Sequence, residues 1–108
     1  MVAIRLVYCP VPDLASGRQL ARLLIEERLA ACVNLLPGLV SCYRWEGAVA
    51  EDDEVLLLAK TSAIRVEALR QRLSEAHPYA VPAILDWSIA GCNDAFANWL
   101  IGEVAEPS

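Results

Sequence analysis

The chain is poor in the residues that carry most enzyme chemistry. It has one histidine, one methionine and one phenylalanine in 108 positions. A single imidazole rules out the H-E-x-x-H zinc helix, and no Ser-His-Asp set is present. One histidine without paired carboxylates leaves little for acid–base catalysis, so no enzyme is expected. The five glycines, Gly17, Gly38, Gly47, Gly91 and Gly102, are scattered. They form no phosphate-cradling cluster, which argues against a nucleotide ligand. Cations are also scarce, nine Lys and Arg against fourteen Asp and Glu, for a net charge of −5. No basic stripe can be traced through them, so nucleic acid is not an expected partner.

Long hydrophobic runs are absent as well. No pure run is longer than Val55 to Ala59, which is strand-sized, far short of the ~20 residues of a membrane span, so no membrane partner is expected. The N-terminus enters a strand pattern directly, without the charged and apolar regions of a signal peptide, and the cytoplasm is the expected location. Cys9, Cys32, Cys42 and Cys92 form no C-x-x-C pair or zinc knuckle, and reduced thiols are expected. Cys32 and Cys42 fall on one long strand, about 33 Å apart, too far to bridge within a chain.

What the chain does have is apolar residues. They make up 56% of the sequence and give a mean hydropathy of +0.39. Residues 1–108 are read as one domain, and apolar surplus on so small a domain predicts subunit contacts. Val2 to Tyr8 predicts a first strand, stopped by Cys9-Pro10-Val11-Pro12. Asp13 offers an N-cap to a helix over Leu14 to Leu29. Ala30 to Trp45 reads as a long extended segment with a bulge at Pro37-Gly38, which places Cys32 and Cys42 on opposite faces despite their even spacing. Glu46-Gly47 turns the chain into a third strand, Val49 to Thr61. Ser62 can cap a helix over Ala63 to Ala76, which His77-Pro78 ends because the residue before proline is pushed out of the helical region. Val81 to Ile89 reads as the fourth strand. Asn93 or Asp94 then caps a short helix through Phe96, Trp99 and Leu100, and Glu106-Pro107-Ser108 is a loose tail.

The order β-α-β-β-α-β-α predicts an α+β, ferredoxin-like βαββαβ fold plus a C-terminal helix. The β2–β3 hairpin is far longer than the other strands. Its far end would overhang with unpaired edges, and a second subunit is the simplest cover.

Leu29-Ala30-Ala31-Cys32-Val33-Asn34, Leu36-Pro37-Gly38, Ser41 to Gly47, Glu54-Val55-Leu56-Leu57, Lys60-Thr61 and His77-Pro78-Tyr79 together resemble the CutA family of divalent-cation tolerance proteins. The likeness runs in order from Cys9-Pro10 to Asn98-Trp99. It implies a ferredoxin-like homotrimer, with the long hairpins packed about a threefold axis, and a role in tolerance to copper and other divalent metals. Cys9 and His77 match the family's proposed copper ligands. Where the family often reads His-His-Pro-Tyr and Tyr-Glu-Val-Pro-Glu, this chain has Ala76 before His77 and Ala80 and Ala83 after Tyr79, so candidate ligands at three positions are lost.

Two readings of His77 stay open. It can be a helix stop, or half of a metal site with Cys9, whose soft thiolate suits copper(I). The topology brings strand one's end and strand four's start together, which puts the two residues within about 10 Å. Cys9 can equally be a small buried hydrophobe. Glu51 to Glu54 could attract hard cations, but a solvated hairpin edge explains the run more simply. Lys60 is either a desolvated cation or an anion ligand, Trp45, Tyr79 and Trp99 are packing residues, and Asp86 is a partner for Arg or Lys. Three functions compete: a metal-responsive, copper-binding homotrimer; a small-molecule signalling trimer resembling the nitrogen-regulatory ferredoxin-like trimers; and a structural trimer without ligand.

Overall fold

Seven elements follow one another as β1 Ile4–Val11, α1 Leu14–Glu26, β2 Cys32–Trp45, β3 Ala48–Ser62, α2 Val66–Ala76, β4 Leu85–Ser88 and α3 Asp94–Val104. The computed structural model describes residues 3–106, so the expectations for Val2 and for Pro107-Ser108 lie outside the described residues. The four strands form one antiparallel sheet in the order β2-β3-β1-β4, which is the split βαβ arrangement.

The period-2 pattern of β1 and β3 builds the core. Val7, Cys9 and Val11 on β1 and Val55, Leu57 and Ala59 on β3 are buried. They point to the face covered by Leu20 and Leu24 of α1 and Leu69 and Leu73 of α2. Gly17 lets α1 approach this face closely: a Cβ there would meet Leu35 Cδ2 at 3.0 Å and Val11 Cγ2 at 3.3 Å. A second, smaller cluster joins Ile4 to Ala97, Leu100 and Val104. By strand alternation Ile4 points away from the α1/α2 layer, so α3 covers one end of the opposite face.

Several boundaries differ from those read in the sequence. β1 continues through Pro10 to Val11 instead of stopping at Cys9. This is possible because β4 pairs with β1 only from Arg5 to Tyr8. Beyond Tyr8 that edge of β1 is free, and a proline without an N–H wastes no ladder bond there. β4 is correspondingly short, Leu85–Ser88 in place of Val81 to Ile89. α1 ends at Glu26 because Arg28 takes a left-handed conformation, φ 56°, and the Leu29 and Ala30 N–H groups both turn back to the Leu24 carbonyl. α2 begins at Val66, after a turn in which the Arg65 N–H donates to Ser62 Oγ.

β2 starts at Cys32 instead of Ala30, β3 spans Ala48–Ser62, and Asn93 stands at the N-cap of α3 without a side-chain cap hydrogen bond. The following local readings agree with the structure. Asp13 accepts from the Ser16 N–H at 2.7 Å. Glu46 and Gly47 both have positive φ, as a two-residue hairpin turn requires. The β2–β3 register slips between Pro37 and Leu39, and Gly38 there has φ 91°. Cys32 pairs with Lys60 and Cys42 with Glu51. Those partners are an odd number of residues apart on an unbroken strand, so the two thiols face opposite sides.

Candidate functional site

His77 closes α2 in an extended conformation, φ −67° and ψ 139°, as the following proline demands. Its ring turns onto the free edge of β1. Nε2 lies 2.9 Å from the Pro10 carbonyl oxygen, and the Tyr79 N–H donates to Nδ1 at 3.0 Å. Since Nδ1 accepts and a carbonyl can only accept, the neutral ring carries its proton on Nε2. The imidazole thus takes the place of the missing strand neighbour at Pro10 and ties the α2–β4 connection to the sheet. It is buried, with the Tyr79 ring tilted against it at 4.8 Å between centroids.

Cys9 sits beside this joint. Its Sγ is 3.7 Å from the same Pro10 oxygen, so the topology does bring Cys9 and His77 together. Neither is set up as a ligand. Both ring nitrogens of His77 are engaged. Cys9 is fully buried, and burial, reinforced by the Glu54 charge, pushes its thiol up to about 12, so only about one chain in 10⁵ carries the thiolate at pH 7. Among the described residues no group of three or more His, Cys, Asp or Glu could hold a metal. As they stand, these residues do not fit a bound metal ion.

On the other side of the joint lies a cleft of about 660 Å³ between the hairpin and the segment after His77. Its polar walls come from Ser41, Tyr43, Asp52, Glu54 and Tyr79. Asp52 pairs with Ser41, and Glu54 with Leu39. The two carboxylates are two residues apart on β3 and share one face, whereas Glu51 and Asp53 point the other way. The Tyr43 hydroxyl donates to Asp52, and the Tyr79 hydroxyl donates to Glu54 Oε2 at 2.8 Å. The Asp52 hydrogen bond raises the Tyr43 pKa. Burial, then the Glu54 hydrogen bond, raises that of Tyr79. Sequence reasoning treated the acidic run as a solvated edge and Tyr79 as packing. The signal it missed was the i, i+2 spacing of Asp52 and Glu54 opposite the aromatic residues of β2.

The other singled-out side chains have ordinary partners. Asp86 bridges Arg5 at 3.0 Å and Arg70 at 3.2 Å. Lys60 Nζ lies 5.6 Å from the Phe96 ring centroid. The Trp99 ring packs against Phe96.

With this geometry established, comparison with known proteins is decisive. Residues 5–103 match the family described as CutA1 divalent ion tolerance protein. The chain belongs to the CutA1 family. It is 48% identical over 94 residues to the divalent-cation tolerance protein CutA of Thermus thermophilus, which covers 87% of this chain and 91% of that one. It is 42% identical over 94 residues to the chloroplastic protein CutA of Arabidopsis thaliana, 87% of this chain but only about half (52%) of the plant protein. The fold agrees with solved structures. CutA1 from Oryza sativa superposes with a TM-score of 0.94 at 40% identity, over 98% of this chain and 97% of that one. The CutA1 of Thermus thermophilus gives a TM-score of 0.90 at 44% identity, over 94% and 99%. No helix among the described residues of this CutA1 chain is long and apolar enough to cross a membrane.

Proposed function

We propose that this CutA1 chain works as a cytoplasmic homotrimer in divalent-cation tolerance, without an enzymatic step. The observation that carries the assembly is the apolar sheet face left uncovered beside α3. Leu36 is 46% exposed, Leu85 57% and Trp87 46%, and by alternation all three share the face opposite α1 and α2 with Leu6, Tyr8, Leu56 and Leu58. β2 also offers a 14-residue outer edge. An apolar face joined to a free edge calls for another copy of the chain, and the CutA resemblance supplies the threefold arrangement. Light scattering on a size-exclusion column tests this; a single chain at micromolar concentration would refute it.

Cys9 and His77 serve first as the structural joint that fixes the end of β1. Their closeness around the Pro10 oxygen favours one further role, as a soft copper(I) pair reached only when the joint opens. Copper(I) titration of the reduced protein tests it. The thiolate-to-copper absorbance should vanish in Cys9→Ser and weaken in His77→Ala, with the trimer intact in both. Absorbance that persists in Cys9→Ser removes this role and leaves the joint.

A further inference from the structure

The acidic cleft belongs to the sheet face that assembly covers. Resting on the trimer reading above, we propose that the cleft is filled on assembly by Lys60 of the partner subunit, whose ammonium pairs with Asp52 and Glu54.

The two carboxylates lack a counter-charge of their own. No Lys, Arg or His lines the cleft with them, and neither takes part in an ion pair among the described residues. Each accepts one tyrosine hydroxyl, which fixes the carboxylate but leaves its charge uncancelled. By alternation both share the face of Leu56 and Leu58. A neighbour seated on that face strips water from them. Burying an unpaired charge is costly, so the neighbour must bring a cation.

The positions of the cations select Lys60. Arg5, Arg65, Arg70 and Arg72 already pair with carboxylates. Arg28 and Arg44 donate to backbone carbonyls, and Arg44 points to the opposite side of the hairpin from Tyr43 and Trp45. Arg18 and Arg22 belong to α1, across the sheet. Lys60, the chain's only lysine, makes no ion pair among the described residues. It lies on the same face as Glu54, at the other end of the Leu56–Leu58 stretch. Six residues of strand hold the two about 20 Å apart, further than a lysine side chain reaches, so they cannot meet within one chain. Acid at one end of an apolar face and base at the other make a head-to-tail contact, which can close into a ring of three.

The cleft also suits a lysine side chain in form. It holds about 660 Å³ and is walled by Tyr43, Trp45 and Tyr79. Aromatic faces attract an ammonium and cover its methylene stem. The three N–H donors of lysine suit the carboxylate lone pairs that the tyrosines leave free. In its own chain Lys60 Nζ stands 5.6 Å from the Phe96 ring centroid, so turning to the partner breaks no ion pair.

A single lysine makes the test specific. A water-soluble carbodiimide joins an amine to a carboxylate that it touches. Treatment of the full-length protein at pH 7 should give chains linked in twos and threes on a denaturing gel, and mass spectrometry of the digest should find Lys60 joined to Asp52 or Glu54. Lys60→Arg keeps the charge but offers no amine, so its assembly should persist and the links should vanish. Sedimentation equilibrium over a dilution series reports the second arm. Lys60→Glu and Glu54→Lys should each raise the dissociation midpoint at least about ten-fold, and the double variant should return most of that loss, which the 20 Å separation within a chain allows only between chains. If a reversal does not fold by circular dichroism, Lys60→Met and Glu54→Gln take its place, and their effects should be non-additive, as for residues in contact. Links from Lys60 to other carboxylates, or no link together with additive substitutions, would overturn the ion pair while an assembled wild type leaves the trimer standing. Single chains in the unmodified protein would overturn both.

Discussion

Replacing His77 with alanine removes two hydrogen bonds and a ring from one buried joint. The Pro10 carbonyl loses the Nε2–H it receives at 2.9 Å, and Pro10 is itself buried. β4 has not yet begun alongside β1 at that level, so no strand can supply a replacement donor. An orphaned buried acceptor costs about 1–3 kcal/mol. Loss of the ring contact with Tyr79 adds about 0.5–1.5 kcal/mol. The Tyr79 N–H loses its acceptor too, but Tyr79 is partly exposed and water can take that bond. The expected destabilisation is about 2–4 kcal/mol per chain. Urea unfolding followed by far-ultraviolet circular dichroism measures it, with wild type and variant at the same protein concentration because assembly makes the midpoint concentration-dependent. His77→Gln keeps an N–H donor and a carbonyl acceptor and should recover part of the loss. A His77→Ala variant within about 0.5 kcal/mol of wild type, or a glutamine variant no better than alanine, would refute the idea that this side chain substitutes for a strand neighbour.

Leu57 is fully buried against α1 and α2 within its own subunit. Leu57→Asp should therefore unfold the chain instead of merely separating subunits, since an unpaired buried carboxylate costs several kcal/mol; a variant with native circular dichroism would contradict this. Cys42 is exposed, whereas Cys9 is buried with its thiol pushed up to about 12, so iodoacetamide at neutral pH should label Cys42 and spare Cys9 until denaturant is added, as mass spectrometry of the digested protein would show. The Asp13 carboxyl is held below its ordinary value by the Ser16 N–H. A depressed pKa lends stability that is present above the unfolded value near about 4 and is lost as pH falls through the folded one. Asp13→Asn should accordingly flatten the acid limb of the stability–pH curve, and an unchanged limb would count against the cap.

What the sequence revealed and what it hid follow from the range of the interactions. Period-2 and period-3.6 patterns give the order of the elements, because each reflects burial of one face. Pro37-Gly38 showed its bulge because proline and glycine carry their backbone restrictions with them. The extent of β1 was hidden because Pro10 is tolerated only where β4 is absent, and the length of β4 is set by contacts far along the chain. The end of α1 was missed because Arg28 takes a conformation that usually signals glycine. His77 and Cys9 were placed together by topology alone, but that both ring nitrogens would be engaged depended on one carbonyl and one N–H no pattern marks. The carboxylates of the cleft looked like a solvated run because their tyrosine partners lie on another strand, in the case of Asp52, or beyond a helix, in the case of Glu54.

Sedimentation equilibrium at micromolar concentration tests the assembly most directly. The account predicts a single species of three times the 11.8 kDa chain mass, which falls apart when the apolar face carries a charge, as in Trp87→Glu. A species of one chain mass in the unmodified protein, with native circular dichroism, would contradict it.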